Sequence, residues 1–335
     1  MHLKSIAAGL ALAVFSSLAA AESLSIEGGG AASLTGIVPQ TYAQFTSAEG
    51  IDLQVVLGQT LTKSALKVAA GKLDLAVIPP PAFRAMSRGV GPYAGQADAA
   101  KKLSEDVRSL FAFPGGTFHA IVWADSGIED WGDIAGKRVF IGPPAGAASG
   151  QIQGMIEAAS GGMKAGDDYE GVKAPWGAAQ QSFQDGQYDV YVAAAAVGQQ
   201  ALNELSLQRE IRILGVPDTV VGSDNWTDYT VAQAVDTTVI PAGTYSGQVN
   251  ADDDLSTAVT MMMVGVNKAM PDDTAYALTK AYWENLASMK SANALLKSID
   301  PEKPFAGTNA PLHPGAVRYY EENGIAIPDT LRPGA

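Results

Sequence analysis

No cysteine occurs in the 335 residues, and histidine appears only three times. Without thiols the fold has no disulfide staples, so it must stand on its own core. A lipoprotein anchor is excluded too, because it needs a cysteine at the cleavage point. Once a leader is removed, only His119 and His313 remain, and no His-x-x-x-His or paired metal-ligand spacing occurs. A Gly-x-Ser-x-Gly nucleophile elbow is also missing. Asp252-Asp253-Asp254 lacks the alternating oxygens and later Glu of a calcium loop and reads as a solvated turn. No metal, no cofactor and no catalytic residue is therefore expected, and hydrolase and metalloenzyme readings are set aside. Positive charge is scarce as well: 22 Lys and Arg stand against 35 Asp and Glu, a net charge of −13. That balance argues against nucleic acid and anionic membrane surfaces as partners. It leaves room for a small anion, since local donors outweigh a distant field.

Long apolar runs are absent except at the start. Lys4 supplies a small positive region, Ile6 to Leu18 are apolar, and Ala19-Ala20-Ala21 fits an Ala-x-Ala cleavage signal before Glu22. The run is shorter than the roughly 20 residues needed to span a bilayer. Residues 1–21 are therefore expected to be a signal peptide, cleaved near Ala21, which sends the chain to a periplasm. The remainder is long for one domain and comfortable for two, and its 47% apolar content can build substantial cores.

Short apolar strands alternate with helical segments throughout. Leu24 to Ile26 leads into Gly28-Gly29-Gly30, Leu53 to Val56 into Gly58-Gln59-Thr60, and Leu73 to Ile78 into Pro79-Pro80-Pro81. This rhythm predicts a doubly wound, mostly parallel sheet. An internal echo points to two similar lobes: Gly71 to Asp74 before a buried strand, and Gly186 to Asp189 before another. The first crossing between lobes is expected near Phe113-Pro114-Gly115-Gly116, with the return between Leu214 and Ile240. The expected division is thus residues 22–114 for the first part of lobe 1, 115–225 for lobe 2, and 226–335 for the return to lobe 1. An amphipathic helix is predicted from Asp272 to about Met289, introduced by Pro271.

Several segments resemble one family. Ala124 to Pro144 (ADSGIEDWGDIAGKRVFIGPP) is similar to the central stretch of TAXI-type receptors of TRAP transporters. Ile240 to Tyr245 (IPAGTY) resembles a later element of those receptors, and Pro311 to Glu321 (PLHPGAVRYYE) their closing signature, with Tyr276 to Asn285 similar to the preceding helix. The resemblance implies an α/β, type II periplasmic binding protein fold: two doubly wound α/β lobes joined by a hinge. It implies a receptor, not an enzyme, that passes a small organic solute (a carboxylate or amino-acid-like molecule) to TRAP transporter membrane subunits. A monomer is expected. A receptor for an ABC importer, or a periplasmic sensor, would have the same fold and cleft.

In open α/β sheets a ligand lies beyond the carboxyl ends of the strands, where helix N-termini offer unpaired amides. The candidate ligand-binding residues are accordingly Gly30, Ser33, Thr35, Gln59, Thr60 and Pro80 from one lobe, and Pro144, Ala145, Ala147, Trp176 and Ala195 from the other. His119 is added on the first strand of lobe 2, where it either reaches the ligand or belongs to the hinge. Trp176 is either an aromatic wall or core packing, and His313 is expected to fix a turn. Gly28-Gly29-Gly30 lacks the full Gly-x-Gly-x-x-Gly of a dinucleotide site. The loops depart from the family's usual polar composition: Ser33-Leu34-Thr35-Gly36 replaces an aromatic pair, Pro79-Pro80-Pro81 a Gln-Ser-Asp, and Ala145-Gly146-Ala147-Ala148 a Gly-Ser-Gly-Thr. The expected solute therefore has few polar groups or a sizeable apolar part.

Overall fold

The computed structural model describes residues 22–144 and 146–334. The expected signal peptide and Ala145 lie outside the described residues.

Three strand–helix units open the chain: β1 (Glu22–Glu27) and α1 (Leu34–Thr46), β2 (Ile51–Val56) and α2 (Leu61–Ala69), β3 (Leu75–Ile78) and α3 (Pro80–Arg88). Helix α4 (Ala97–Ser104) precedes the long strand β4 (Val107–Trp123). Three further units follow: β5 (Arg138–Phe140) and α5 (Ala148–Ala159), β6 (Glu170–Val172) and α6 (Trp176–Gln184), β7 (Val190–Ala195) and α7 (Gln200–Gln208). Then come β8 (Ile211–Leu214), α8 (Asp218–Val221), α9 (Asp224–Gln233), β9 (Val235–Ile240) and a second long strand, β10 (Leu255–Asn267). Helices α10 (Asp272–Glu284), α11 (Leu286–Ala292) and α12 (Pro314–Glu322) close the chain. The predicted helix from Asp272 is broken at Asn285 and resumes as α11.

One ten-stranded sheet runs β2-β1-β3-β10-β4-β7-β5-β6, with β8 on β4 and β9 on β10. Each half is parallel except for the two long strands, which pair antiparallel over most of their length. Alternate residues of a strand face opposite sides, and here both sides are buried. Leu75 and Val77 of β3 join one cluster with Tyr42, Phe111 and Tyr282, whereas Ala76 and Ile78 join another with Val68 and Met86. In the other half, Val190 and Val192 of β7 pack with Trp131 and Ile152, while Tyr191 and Ala193 pack with Phe140 and Phe183. That is why these strands read as unbroken apolar runs rather than alternations.

The two halves have separate cores, and β4 and β10 are the strands that contribute buried residues to both. On β4, Phe113 belongs to the first core and Phe118 to the second; on β10, Ala258 belongs to the second and Val264 to the first. Trp226, Tyr229 and Val235 pack in the second core with Ile152 and Met155. The ladder slips out of register at Thr260/Met261, so that Gly116 and Pro114 are paired and Gly115 bulges between them. A Cβ on Gly115 would stand 2.7 Å from Met262 Cγ and 2.8 Å from Thr260 Oγ1. Only glycine fits this point of the crossing.

The internal echo in the sequence is real in space. Asp74, just before β3, accepts from the backbone N–H of Ser25 on β1 at 2.8 Å. Asp189, just before β7, accepts from the N–H of Arg138 on β5 at 2.9 Å and is held by the same residue's guanidinium. Gly71 and Gly186 both take left-handed φ, +65° and +71°, as each preceding helix ends. The result is a two-lobed type II binding fold.

Candidate functional site

Strand register fixes where the candidate loops go. The carboxyl end of β3, Ile78, sits opposite Met263 of β10, which pairs with Ala112 of β4. The carboxyl end of β7, Ala195, sits opposite Thr117 of β4. The two strands thus point toward the crossing from opposite directions, on opposite edges of the two-strand ladder. Their ends are about 17 Å apart along β4, at roughly 3.4 Å per residue. β1 and β2 run parallel with β3, and β5 and β6 with β7, so all six strand ends face the space between the lobes.

Six helices start there: α1, α2 and α3 from one lobe, α5, α6 and α7 from the other. None has a side chain capping its first turn and none carries an acidic residue in it. Helices that start elsewhere differ, apart from α11, which has neither a cap nor an acid. Asp98, Asp218 and Asp224 lie in the first turns of α4, α8 and α9, and Asp272 and Asp273 in that of α10. Ser223 also caps α9, and His313 caps α12. An uncapped first turn leaves amides unsatisfied and a partial positive charge of about half an elementary charge. The cleft is therefore lined with main-chain donors and kept free of competing carboxylates at those helix starts. Helix α3 is the exception in donors, since Pro80 and Pro81 at its start have no N–H.

In the first lobe two loops form one unit. The Gly58 and Gln59 amides donate to the carbonyls of Gly29 and Gly28 at 2.8 and 3.0 Å. Ser33 has N-cap backbone geometry, but its hydroxyl donates to the Gly30 carbonyl at 2.7 Å and lies 2.7 Å from Thr35 Oγ1. A hydroxyl has one proton, so Thr35 must donate to Ser33. Both protons are consumed within the loop. The Gln59 amide turns back to the Leu57 carbonyl at 3.0 Å. Gly30 and Thr60 are exposed, whereas Pro80 is buried and its carbonyl accepts from Asn309 at 2.8 Å. Beneath the loop, Glu27 is held by Ser64 and Lys67 at 2.6 and 2.5 Å.

In the second lobe, Pro144 is exposed, and Ala147 is the half-buried residue preceding α5. Trp176 begins α6, is 39% exposed, and sets its ring edge-on to Phe140 at 5.5 Å. It therefore both touches the core and presents a face to solvent. Ala195 is buried at the end of β7, and the next residue, Ala196, packs into the core of the opposite lobe.

His119 stands apart from this set. It is fully buried inside β4, with Nδ1 2.9 Å from the Thr117 carbonyl and Nε2 2.8 Å from the Tyr245 hydroxyl. A carbonyl only accepts, so Nδ1 carries the proton and Nε2 accepts from Tyr245. Burial lowers its pKa to about 4. Tyr245 in turn accepts from the Gly198 amide, in the loop after β7, at 3.2 Å. Tyr245 was visible in the sequence only as part of the Ile240–Tyr245 element, and nothing there tied it to His119. His313 is buried and accepts from the Gly315 amide at 3.2 Å, fixing the start of α12.

Two further features escaped the sequence reading. Arg84 of α3 donates across the cleft edge to the carbonyls of Ala232 and Val231 at the end of α9, at 2.5 and 3.5 Å. A cavity of about 130 Å³ lies at the crossing, lined among others by Phe113, Asp236, Met261 and Lys303. It includes none of the predicted ligand residues. Among the described residues no cluster of His, Cys, Asp and Glu is built to hold a metal, and no helix is long and apolar enough to cross a membrane.

Similar folds occur among solved structures of periplasmic binding proteins. The periplasmic sulfonate-binding protein from Methylobacillus flagellatus superposes with a TM-score of 0.50 at 11% identity, covering 93% of this chain and 81% of that one. The periplasmic aliphatic sulphonate binding protein from Escherichia coli gives 0.48 at 12% identity, covering 92% and 96%. A TRAP periplasmic solute binding protein from Rhodobacter sphaeroides gives 0.46 at 12%, covering 82% and 81%. The family profile reaches further into identity than these folds do. It matches residues 41–324, from within α1 to the end of α12, so the chain belongs to the NMT1-like family, a family of periplasmic binding proteins.

Proposed function

We propose that this protein is an extracytoplasmic solute receptor that closes on a small organic anion, a carboxylate with a sizeable apolar part, and delivers it to TRAP-type membrane subunits. The observation that carries the anion is the set of helix starts around one cleft with neither caps nor acids, five of the six with free first-turn amides and α3 opening on prolines. Such amides hold an anion without any Arg or Lys. The apolar part follows from the loop composition: Pro80, Pro144, Ala147 and Ala195, with Trp176 half-open beside them. Ser33 and Thr35 then shape the first loop, and direct contact falls to main chain at Gly30 and to Gln59 and Thr60. The TRAP assignment rests on the TAXI-like segments at Ala124–Pro144, Ile240–Tyr245 and Pro311–Glu321. The same fold would serve an ABC importer, and reconstitution with each class of permease separates them. The receptor acts as a monomer and performs no chemistry on its solute.

The hinge assignment follows the cores. We place the first crossing at the Gly115 bulge, where the cores on either side of it change from the first lobe to the second. We place the return on β10 at Thr260–Met261 rather than at 226, since Trp226, Tyr229 and Val235 share a core with Ile152.

A thermal-shift screen of dicarboxylates, keto acids, amino acids and aromatic acids tests the reading. A ligand at a hundred times its dissociation constant stabilises by about 2.7 kcal/mol. Stabilisation by aromatic or branched carboxylates, absent with their amides, is the expected result. Stabilisation by the neutral amides alone would remove the anion from the proposal.

A further inference from the structure

The chain of hydrogen bonds from Thr117 to Gly198 connects three parts of the molecule that the cleft needs in fixed relation. Thr117 and His119 lie on β4 directly after the bulged crossing at Gly115. Tyr245 comes from the segment after β9. Gly198 lies in the loop that joins β7 to α7, and that loop starts with Ala196, which reaches into the opposite lobe's core. The geometry leaves one assignment of protons: His119 Nδ1–H to Thr117 O, Tyr245 O–H to His119 Nε2, Gly198 N–H to Tyr245 Oη. His119 and Tyr245 are 0% and 1% exposed, and their rings meet edge-on at 5.6 Å. Water therefore cannot replace either partner without opening the core.

Helix α7 begins two residues after Gly198, and no side chain caps its first turn. Its orientation toward the cleft thus depends on how the 196–199 loop is held. The loop has one internal backbone bond, Gln199 N–H to Ala196 O at 3.1 Å. Beyond the packing of Ala196 and Val197, its other tie is the bond from Gly198 to Tyr245.

We propose that His119 and Tyr245 are positioning residues for the solute site: they do not touch the solute, and they fix the 196–199 loop so that the first-turn amides of α7 face it. The proposal rests on the cleft reading above. It reassigns His119 from ligand contact to support, and adds Tyr245, which sequence reasoning did not single out.

The test uses the full mature protein and three variants. Tyr245→Phe keeps the ring and removes only the hydroxyl. His119→Leu removes the acceptor. His119→Gln restores it, because its side-chain carbonyl can accept from Tyr245 while its NH₂ donates to Thr117. Exchange of the Gly198 amide, followed by NMR without any solute, is expected to speed up about tenfold in Tyr245→Phe and His119→Leu and to stay within about twofold of wild type in His119→Gln. Affinity for the carboxylate probe found in the screen, benzoate or succinate being the first tried, is expected to weaken five- to tenfold in the first two and to recover in the third. Unchanged Gly198 exchange in Tyr245→Phe overturns the relay. Faster exchange with unchanged affinity overturns its role in binding. Should His119→Leu not fold, Tyr245→Phe and His119→Gln still decide the matter. If the wild type binds no carboxylate at all, the cleft reading fails, and that failure is seen before any variant is made.

Discussion

At the scale of single residues, the site is made of groups whose obvious roles are already spent. Ser33 and Thr35 were attractive as donors, and they donate to Gly30 and to each other. His119 was attractive as a contact, and both its nitrogens are taken by protein. Sequence could place these residues near the cleft because strand ends and helix starts are written in short patterns. It could not show hydroxyl direction, which depends on partners only two or three residues away but set by loop conformation. The buried imidazole makes a pH prediction. Its folded pKa of about 4 lies below the 6.5 of an exposed histidine. The unfolded chain therefore binds the proton first as pH falls, and stability is lost between about pH 6.5 and pH 4, by up to about 3 kcal/mol from this group. Chemical unfolding across that range is expected to show the decline in the wild type and a shallower one in His119→Gln. Equal slopes would mean that histidine does not titrate on unfolding.

At the scale of elements, the helix starts around the cleft forgo stability that a cap would supply. Ala147 shows this most directly: it precedes α5 in a position where Asp or Ser is usual, and no side chain satisfies the turn. Ala147→Asp is expected to raise stability by about 1 kcal/mol through capping and the helix dipole. If α5 faces the anion as proposed, the same substitution is expected to weaken carboxylate binding at least tenfold, because it sets a negative charge beside it. A variant that gained stability and kept its affinity would remove α5 from the site. The hinge makes the opposite case. Gly115→Val would drive a branched side chain into Met262 Cγ and Thr260, and denaturant unfolding is expected to reveal a loss of about 1–3 kcal/mol. Strand and helix identity were largely legible, since buried strands such as Leu75–Ile78 and Val190–Ala195 are apolar on both faces. Their limits were less so. β4 runs from Val107 through the Phe113–Gly116 segment, which was expected only as the crossing between lobes: Pro114 and the two glycines are turn residues by composition, and the pairing with β10 overrides that local preference.

At the scale of the whole molecule, two contacts from the first lobe grip one corner of the second. Arg84 donates to the carbonyl end of α9, and Lys303 pairs with Asp236 at the start of β9, at 2.8 Å. Between them, Gly307 lies against Ala234 O, and Ala234 is the only described non-glycine residue with positive φ, at +50°. This corner was invisible in the sequence, because the partners are 148 and 67 residues apart and no local pattern marks either. The segment from 226 to 240 touches both lobes, while its buried Trp226 and Tyr229 pack with Ile152 in the second core. The groups are partly exposed, so each contact is worth about 0.5 kcal/mol and is weakened by salt. Together they bias the lobes toward the conformation seen here by about 1 kcal/mol, a factor of about five in population. Removing both, as Arg84→Ala with Lys303→Ala, is expected to enlarge the radius of gyration of the unliganded protein in small-angle scattering at low salt. Raising sodium chloride to about 0.5 M is expected to bring the wild type toward the variant and to leave the variant unchanged. A bound solute should return both to one compact profile, since its contacts with the two lobes exceed what the corner supplies. If wild type and variant scatter alike at low salt, the corner is a passive contact, and the balance between open and closed lobes lies wholly in the β4–β10 crossing.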